Sequence, residues 1–144
     1  MLNYWASRML DLMNHERVTN HVHSLTMNQD LINSAATHDV WMAHYNQMSH
    51  RLPGEPDLAP RIVAQHYSPW CRVAENVAWT TVFSYGDKLG VAWLQNYMYN
   101  EKPPNNGHRL NILNPKLHDV GIYIIADTRH HKLWITQDFG SHTC

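Results

Sequence analysis

The chain has 144 residues, 44% of them apolar and 16% charged, with 11 basic and 12 acidic side chains and a formal charge of −1. Those figures suit one folded domain over residues 1–144 and exclude a disordered tail. No run of like charge marks a nucleic-acid footprint or a polybasic membrane patch, and no apolar run approaches the roughly 18 residues of a transmembrane helix.

Met1-Leu2-Asn3-Tyr4-Trp5 lacks a charged segment followed by an apolar one, so no signal peptide is present as written. Residues 4–18 then read as a helix, with Trp5, Met9, Leu12, Met13 and Glu16 recurring at helical spacing. Residues 29–48 read as a second, capped by Asn28 and carrying the stripe Leu31, Ala35, His38, Met42 and Tyr45. Leu25 and Met27 precede that cap as a candidate staple. Pro53-Gly54-Glu55-Pro56 breaks the chain, and a short helix from Leu58 to His66 tolerates Pro60 in its first turn.

After Ser68-Pro69, the segment Val73 to Val82 is β-branched and alternating enough for a strand. Residues 87–99 form another helix that buries Leu89, Ala92, Trp93, and Met98 or Tyr97. Pro103-Pro104-Asn105-Asn106-Gly107 should present His108 on a tight, positive-φ loop. Val120–Ala126 and Lys132–Phe139 are a β-hairpin around Asp127-Thr128-Arg129-His130, so helices pack on a small antiparallel sheet in an α+β fold. His21/His23 and His130/His131 read as turn residues. Of the tryptophans, Trp5, Trp41, Trp79, Trp93 and Trp134 are mostly core, with an aromatic cleft wall as the other reading. Cys71 and Cys144 allow one disulfide worth about 2–4 kcal/mol in an oxidising compartment, or stay free.

Three groups stand apart from these elements: His50 near the end of the second helix, Glu75 inside an apolar strand, and His108. Two imidazoles and a carboxylate suit a first-row metal, here Zn²⁺, with an open position that activates water. A carboxylate in an apolar strand needs partners, and two nearby imidazoles would supply them. His50 beside a helix dipole, and Glu75 accepting backbone N–H bonds, are the plainer readings. Asn76 reads as a cleft-wall residue bonding backbone, and Arg109 and Asn111 as loop anchors.

His50 with Arg51-Leu52-Pro53-Gly54-Glu55-Pro56, Arg61-Ile62, Glu75-Asn76-Val77-Ala78, Trp93 and Gly107-His108-Arg109-Leu110-Asn111-Ile112-Leu113 together resemble the CAP superfamily, in its bacterial SCP-like branch. Asn14-His15-Glu16-Arg17 and Trp134 to Gly140 fit as well. The resemblance implies a three-layer α-β-α sandwich with an open cleft lined by two histidines and two acids. His50, His108 and Glu75 match three of these. The second acid would fall at Asn96, which is no acid, and Glu101 is the nearby carboxylate that could reach in for it.

The implied protein is secreted and holds a divalent metal and a small or lipid-like ligand at His50 and His108, with Glu75 orienting water. Two alternatives are a metal-assisted hydrolase with Glu75 as general base, and an assembly protein with a vestigial site. Ser49 is no convincing nucleophile, because neighbours on a helix point apart.

Overall fold

A computed structural model describes residues 2–81 and 86–144. The helices are α1 (Leu2–Thr19), α2 (Gln29–Tyr45), α3 (Leu58–Ala64), α4 (Gly86–Tyr99) and α5 (Gly107–Ile112). The strands are β1 (Thr26–Met27), β2 (Arg72–Thr80), β3 (Asp119–Asp127) and β4 (Lys132–Ser141), in the sheet order β1-β3-β4-β2.

Side chains alternate across a strand, and that period sorts the molecule into three layers. Even-numbered residues of β4, among them Trp134, Thr136 and Asp138, face α2 and α3 together with Glu75 and Val77 of β2. Odd-numbered residues, Leu133, Ile135, Gln137 and Phe139, face α1, α4 and α5. There they meet Met9, Met13, Leu94, Met98 and Ile112 in the largest apolar core. Three strands run antiparallel as expected. The sheet as a whole is mixed, because β1 adds a short parallel edge to β3, with Thr26 opposite Asp119.

α2 lies almost on the sheet. A Cβ at Gly121 of β3 would overlap the backbone of Leu31 and Ile32, so only glycine permits the approach. The Asn28 side chain caps α2 by accepting from the Leu31 N–H, and Asn46 in the left-handed region (φ 49°) ends it. The helix therefore stops at Tyr45, short of residue 48, and His50 sits beyond its end. α3 likewise ends at Ala64, before His66.

Asp127 organises the hairpin turn. One carboxylate oxygen accepts the Arg129 and His130 N–H groups, and the other accepts from Trp134 Nε1 at 2.9 Å. Cys71 and Cys144 are bridged, with Cα atoms 5.4 Å apart. Arg17, fully buried, donates to the carbonyls of His23, Ile112, Asn114 and Leu117 and so ties α1 to α5. Burial holds its guanidinium down to about 10.

Trp93, Trp79 and Tyr45 of the expected α2 stripe are exposed where burial was expected. Trp93 is 52% exposed, because the core face of α4 is Val91, Leu94 and Met98 and residue 93 falls outside that stripe. Of the pair Met98 and Tyr97, Met98 is inside. Trp5 and Trp134 are core, Trp41 is partly buried, and Trp79 is exposed. Val82 and the Leu89 side chain lie outside the described residues.

A chain of amides threads the α1 side of the sheet. Asn111 Nδ2 donates to Asn76 Oδ1 (2.9 Å), Asn76 Nδ2 to Gln137 Oε1 (3.1 Å), Gln137 Nε2 to Gln95 Oε1 (2.8 Å), and Gln95 Nε2 to Glu16 Oε1 (2.7 Å). Burial pushes the Glu16 carboxyl from its usual 4.5 up to about 7, against the Gln95 hydrogen bond and the Arg109 charge. The folded chain thus keeps a proton that the unfolded chain has released, so stability falls as pH rises from about 4.5 to about 7 and stays reduced above that.

Glu16→Gln keeps the acceptor for Gln95 and removes the titration. Urea midpoints at about pH 5 and about pH 8 are expected to differ less than in the parent, with the variant the more stable at the higher pH. Gly121→Ala is expected to lower stability by about 3 kcal/mol, the upper end of ordinary overpacking, read as a lower urea midpoint.

Candidate functional site

The site opens at one end of β2, between the loop after α2 and the start of α5. His50, Glu75, Asn76, Glu101, His108 and Asn111 all border one open hollow of about 540 Å³. Each imidazole is held by a carboxylate. His50 Nδ1 lies 2.9 Å from Glu75 Oε1, and His108 Nδ1 lies 2.6 Å from Glu101 Oε2. Among the described residues neither Nε2 has a protein partner.

The two pairs differ in character. Glu75 is 2% exposed at its side chain, while His50 is 64% exposed. Glu75 Oε2 takes Arg61 Nη1 in a close ion pair, and the same Nη1 reaches Asp138 Oδ2 at 3.3 Å. Burial alone would raise the Glu75 carboxyl. The neighbouring Asp138 carboxyl and the hydrogen bonds from His50 and Arg61 outweigh burial and bring it down to about 2. Asp138 moves the other way, well above the carboxylate range, through burial and the Glu75 charge. Of the two carboxyl groups, Glu75 carries the charge and Asp138 the proton. Behind them, His38 Nδ1 meets Glu55 Oε2 at 2.6 Å and its Nε2 donates to the Ser49 carbonyl. That bond fixes the loop leading to His50.

His108 stands on the first turn of α5, not on a loop. Gly107 begins the helix, and Asn106 precedes it at φ −119°, so no positive-φ turn forms. The Glu101 carboxylate spans this helix start. Its Oε1 accepts the His108 N–H at 3.0 Å while Oε2 holds the ring.

Glu75 is partnered by one of the two expected imidazoles, His50, together with Arg61; His108 turns to Glu101. Asn76 is buried and donates to the His108 carbonyl at 3.3 Å, so it shapes the wall. Asn111 donates to the Glu75 carbonyl, and Arg109 to the Tyr99 carbonyl at 2.6 Å. Ser49 Oγ donates to the Arg51 carbonyl. Asn96 is exposed on α4 and borders a neighbouring hollow, apart from the two histidines.

Arg61, Glu55 and Asp138 have no assigned role in the sequence reading. Charged residues beside apolar neighbours at Arg61-Ile62 and Asp138-Phe139 were the available signal, as was a histidine at position 38 within an apolar stripe.

The family model described as CAP, cysteine-rich secretory protein family, matches residues 10–139. The chain belongs to the CAP family. Among solved structures, it is similar to an extracellular protein with an SCP domain from Bacillus anthracis, at 24% identity and TM-score 0.77, over 96% of this chain and 40% of that one. An outer surface protein of Borrelia burgdorferi matches at 14% identity and TM-score 0.82, over 99% of this chain and 96% of that one. A cysteine-rich secretory protein of Staphylococcus aureus matches at 16% identity and TM-score 0.67, over 97% and 39%. This CAP chain thus spans about two-fifths of the Bacillus and Staphylococcus proteins. No curated protein matches it. Among the described residues no helix is long and apolar enough to cross a membrane.

A catalytic zinc site takes three protein ligands. Carboxylates at both Nδ1 atoms leave the Nε2 atoms as donors, an arrangement that orients imidazoles toward metals. Yet among the described residues no three His, Cys, Asp or Glu side chains are grouped so as to hold a metal ion. The described residues therefore do not fit a three-ligand zinc site.

The His50 imidazole is raised above its usual 6.5, first by the Glu75 hydrogen bond. The pair's contribution is full below that ordinary value and is lost as pH rises through the raised one. NMR titration of the ring is expected to give a value above 6.5 in the parent, and a lower one in Glu75→Gln.

Proposed function

We propose that this CAP chain is a secreted or surface-exposed binding module that takes a small polar ligand between His50 and His108. One observation carries the reading. Two imidazole–carboxylate pairs border the same open hollow, and both Nε2 atoms are without a protein partner among the described residues. With Nδ1 engaged, each ring has a fixed orientation and a free nitrogen that meets hydroxyl, amide or carboxylate groups. Among the described residues the remaining lining is mostly amide and carboxylate, with Leu110 as its one large apolar side chain, which favours a polar ligand over a lipid tail. Location outside the cell is supported by the similarity to extracellular and outer surface proteins and by the disulfide.

Hydrolysis through Glu75 is the weaker reading. A general base works best near the operating pH, and a carboxylate at about 2 locked to Arg61 accepts a proton poorly. A divalent metal in the cleft would have two imidazole nitrogens and otherwise ligand or solvent atoms.

A protein-observed NMR screen of polar fragments tests the reading. Fragments that bind are expected to shift the His50 and His108 ring signals together. His108→Ala is expected to weaken them about tenfold, equal to about 1.4 kcal/mol. Binding of palmitate in preference to every polar fragment, or turnover of an ester or peptide panel that Glu75→Gln abolishes, would replace this reading with a lipid carrier or a hydrolase.

A further inference from the structure

Beside the histidine cleft lies a second open hollow of about 460 Å³, and it is built differently. Trp93 and Tyr97, one turn apart on α4, stack with ring centroids 5.4 Å apart and planes 26° from parallel. They are 52% and 62% exposed, so neither belongs to the core. Around them stand Asn96, Asn100 and Asn105. Asn100 Nδ2 donates to the Asn96 carbonyl and to Asn96 Oδ1. The Asn96 amide hydrogens and Asn100 Oδ1 are thereby left without a protein partner among the described residues. The exposed Asn105 side chain likewise makes no hydrogen bond among them. Glu101 and Asn105 border both hollows, so the two are continuous, and Glu101 also holds His108.

We propose that Trp93 and Tyr97 form a stacking platform for one pyranose ring of a neutral glycan, whose adjoining residues cross Asn105 and Glu101 into the histidine cleft. The inference rests on the reading of that cleft as a polar-ligand site. A pyranose has an apolar C–H face edged by hydroxyls. The C–H face suits the negative face of an aromatic ring, and each hydroxyl both donates and accepts, as a side-chain amide does. An acyl chain would want an enclosed apolar cavity, and this hollow is open and half polar in its lining residues. A single-stranded nucleic acid also stacks on aromatic rings but needs a cationic track, and among the described residues Lys102 is the one cation lining this hollow, in a chain of formal charge −1.

The test is NMR titration of the intact chain with neutral β-linked oligosaccharides of glucose and N-acetylglucosamine, from one to six units. The Trp93 indole signal is identified by its loss in Trp93→Phe. A tetrasaccharide is expected to move that signal and the His108 ring together, whereas a monosaccharide moves the indole alone. Trp93→Ala and Tyr97→Ala should each weaken tetrasaccharide binding at least tenfold with unchanged melting temperature, since both rings are exposed. If no oligosaccharide moves the Trp93 signal while polar fragments still shift His108, the glycan inference fails and the cleft reading stands. If the indole moves with every chain length and His108 with none, the platform binds sugar alone and the continuity with the cleft is refuted. Binding at Trp93 of a heparin hexasaccharide or an unstructured peptide, with no neutral sugar bound, also overturns it.

Discussion

One buried guanidinium organises the cleft wall. Arg61 on α3 pairs with Glu75 on β2, approaches Asp138 on β4 at 3.3 Å and Glu55 at 3.5 Å, and donates to the His50 carbonyl at 3.2 Å. A single cation facing three buried carboxyl groups cannot neutralise them all as carboxylates. Burial and the Glu75 charge push Asp138 toward its protonated form, which removes one of these charges, while His38 and His50 join Arg61 against Glu55 and Glu75. Removing Arg61 would leave Glu75 buried and charged, which costs far more than the net worth of the ion pair itself.

That network would be only a polar island without the sheet's alternation. Glu75 and Asn76 are adjacent, as are Gln137 and Asp138, and the two pairs sit opposite each other in register. Alternation sends Glu75 and Asp138 to the charged cluster and Asn76 and Gln137 to the amide chain on the other face. A slip of one residue would exchange the two sets and bury each against the wrong layer. The cleft is built where the two faces meet: the ionic face holds His50, and the amide face holds the backbone of His108.

Most elements and their order are legible in the sequence because apolar spacing sets them; the α2 stripe, the Asn28 cap and the hairpin are examples. The two-residue β1 and the short α5 are not legible there. Partner choice is less legible. Glu75 in an apolar strand announces a need for partners, but nothing local says that Arg61 from the short α3 supplies one. His108 looks like a loop residue because Asn-Gly favours positive φ. Here the Glu101 carboxylate, accepting the N–H at the helix start, favours helix instead. Trp93 looks like core because tryptophan usually is, and its exposure follows only once Leu94 and Met98 claim the buried side of α4.

The disulfide has a topological consequence for the cleft. Its covalent ring, from Cys71 to Cys144, encloses Glu75, Trp93, Glu101 and His108, whereas His50, Arg61 and Glu55 lie outside it. One wall is therefore part of a cross-linked loop, and the other is attached to it only by ion pairs and packing. If the N-terminal half loosens while the bridge holds, His108 and the aromatic pair stay near each other and His50 departs. The two halves of the cleft are unequal in permanence, with the half that bears His108 the more durable.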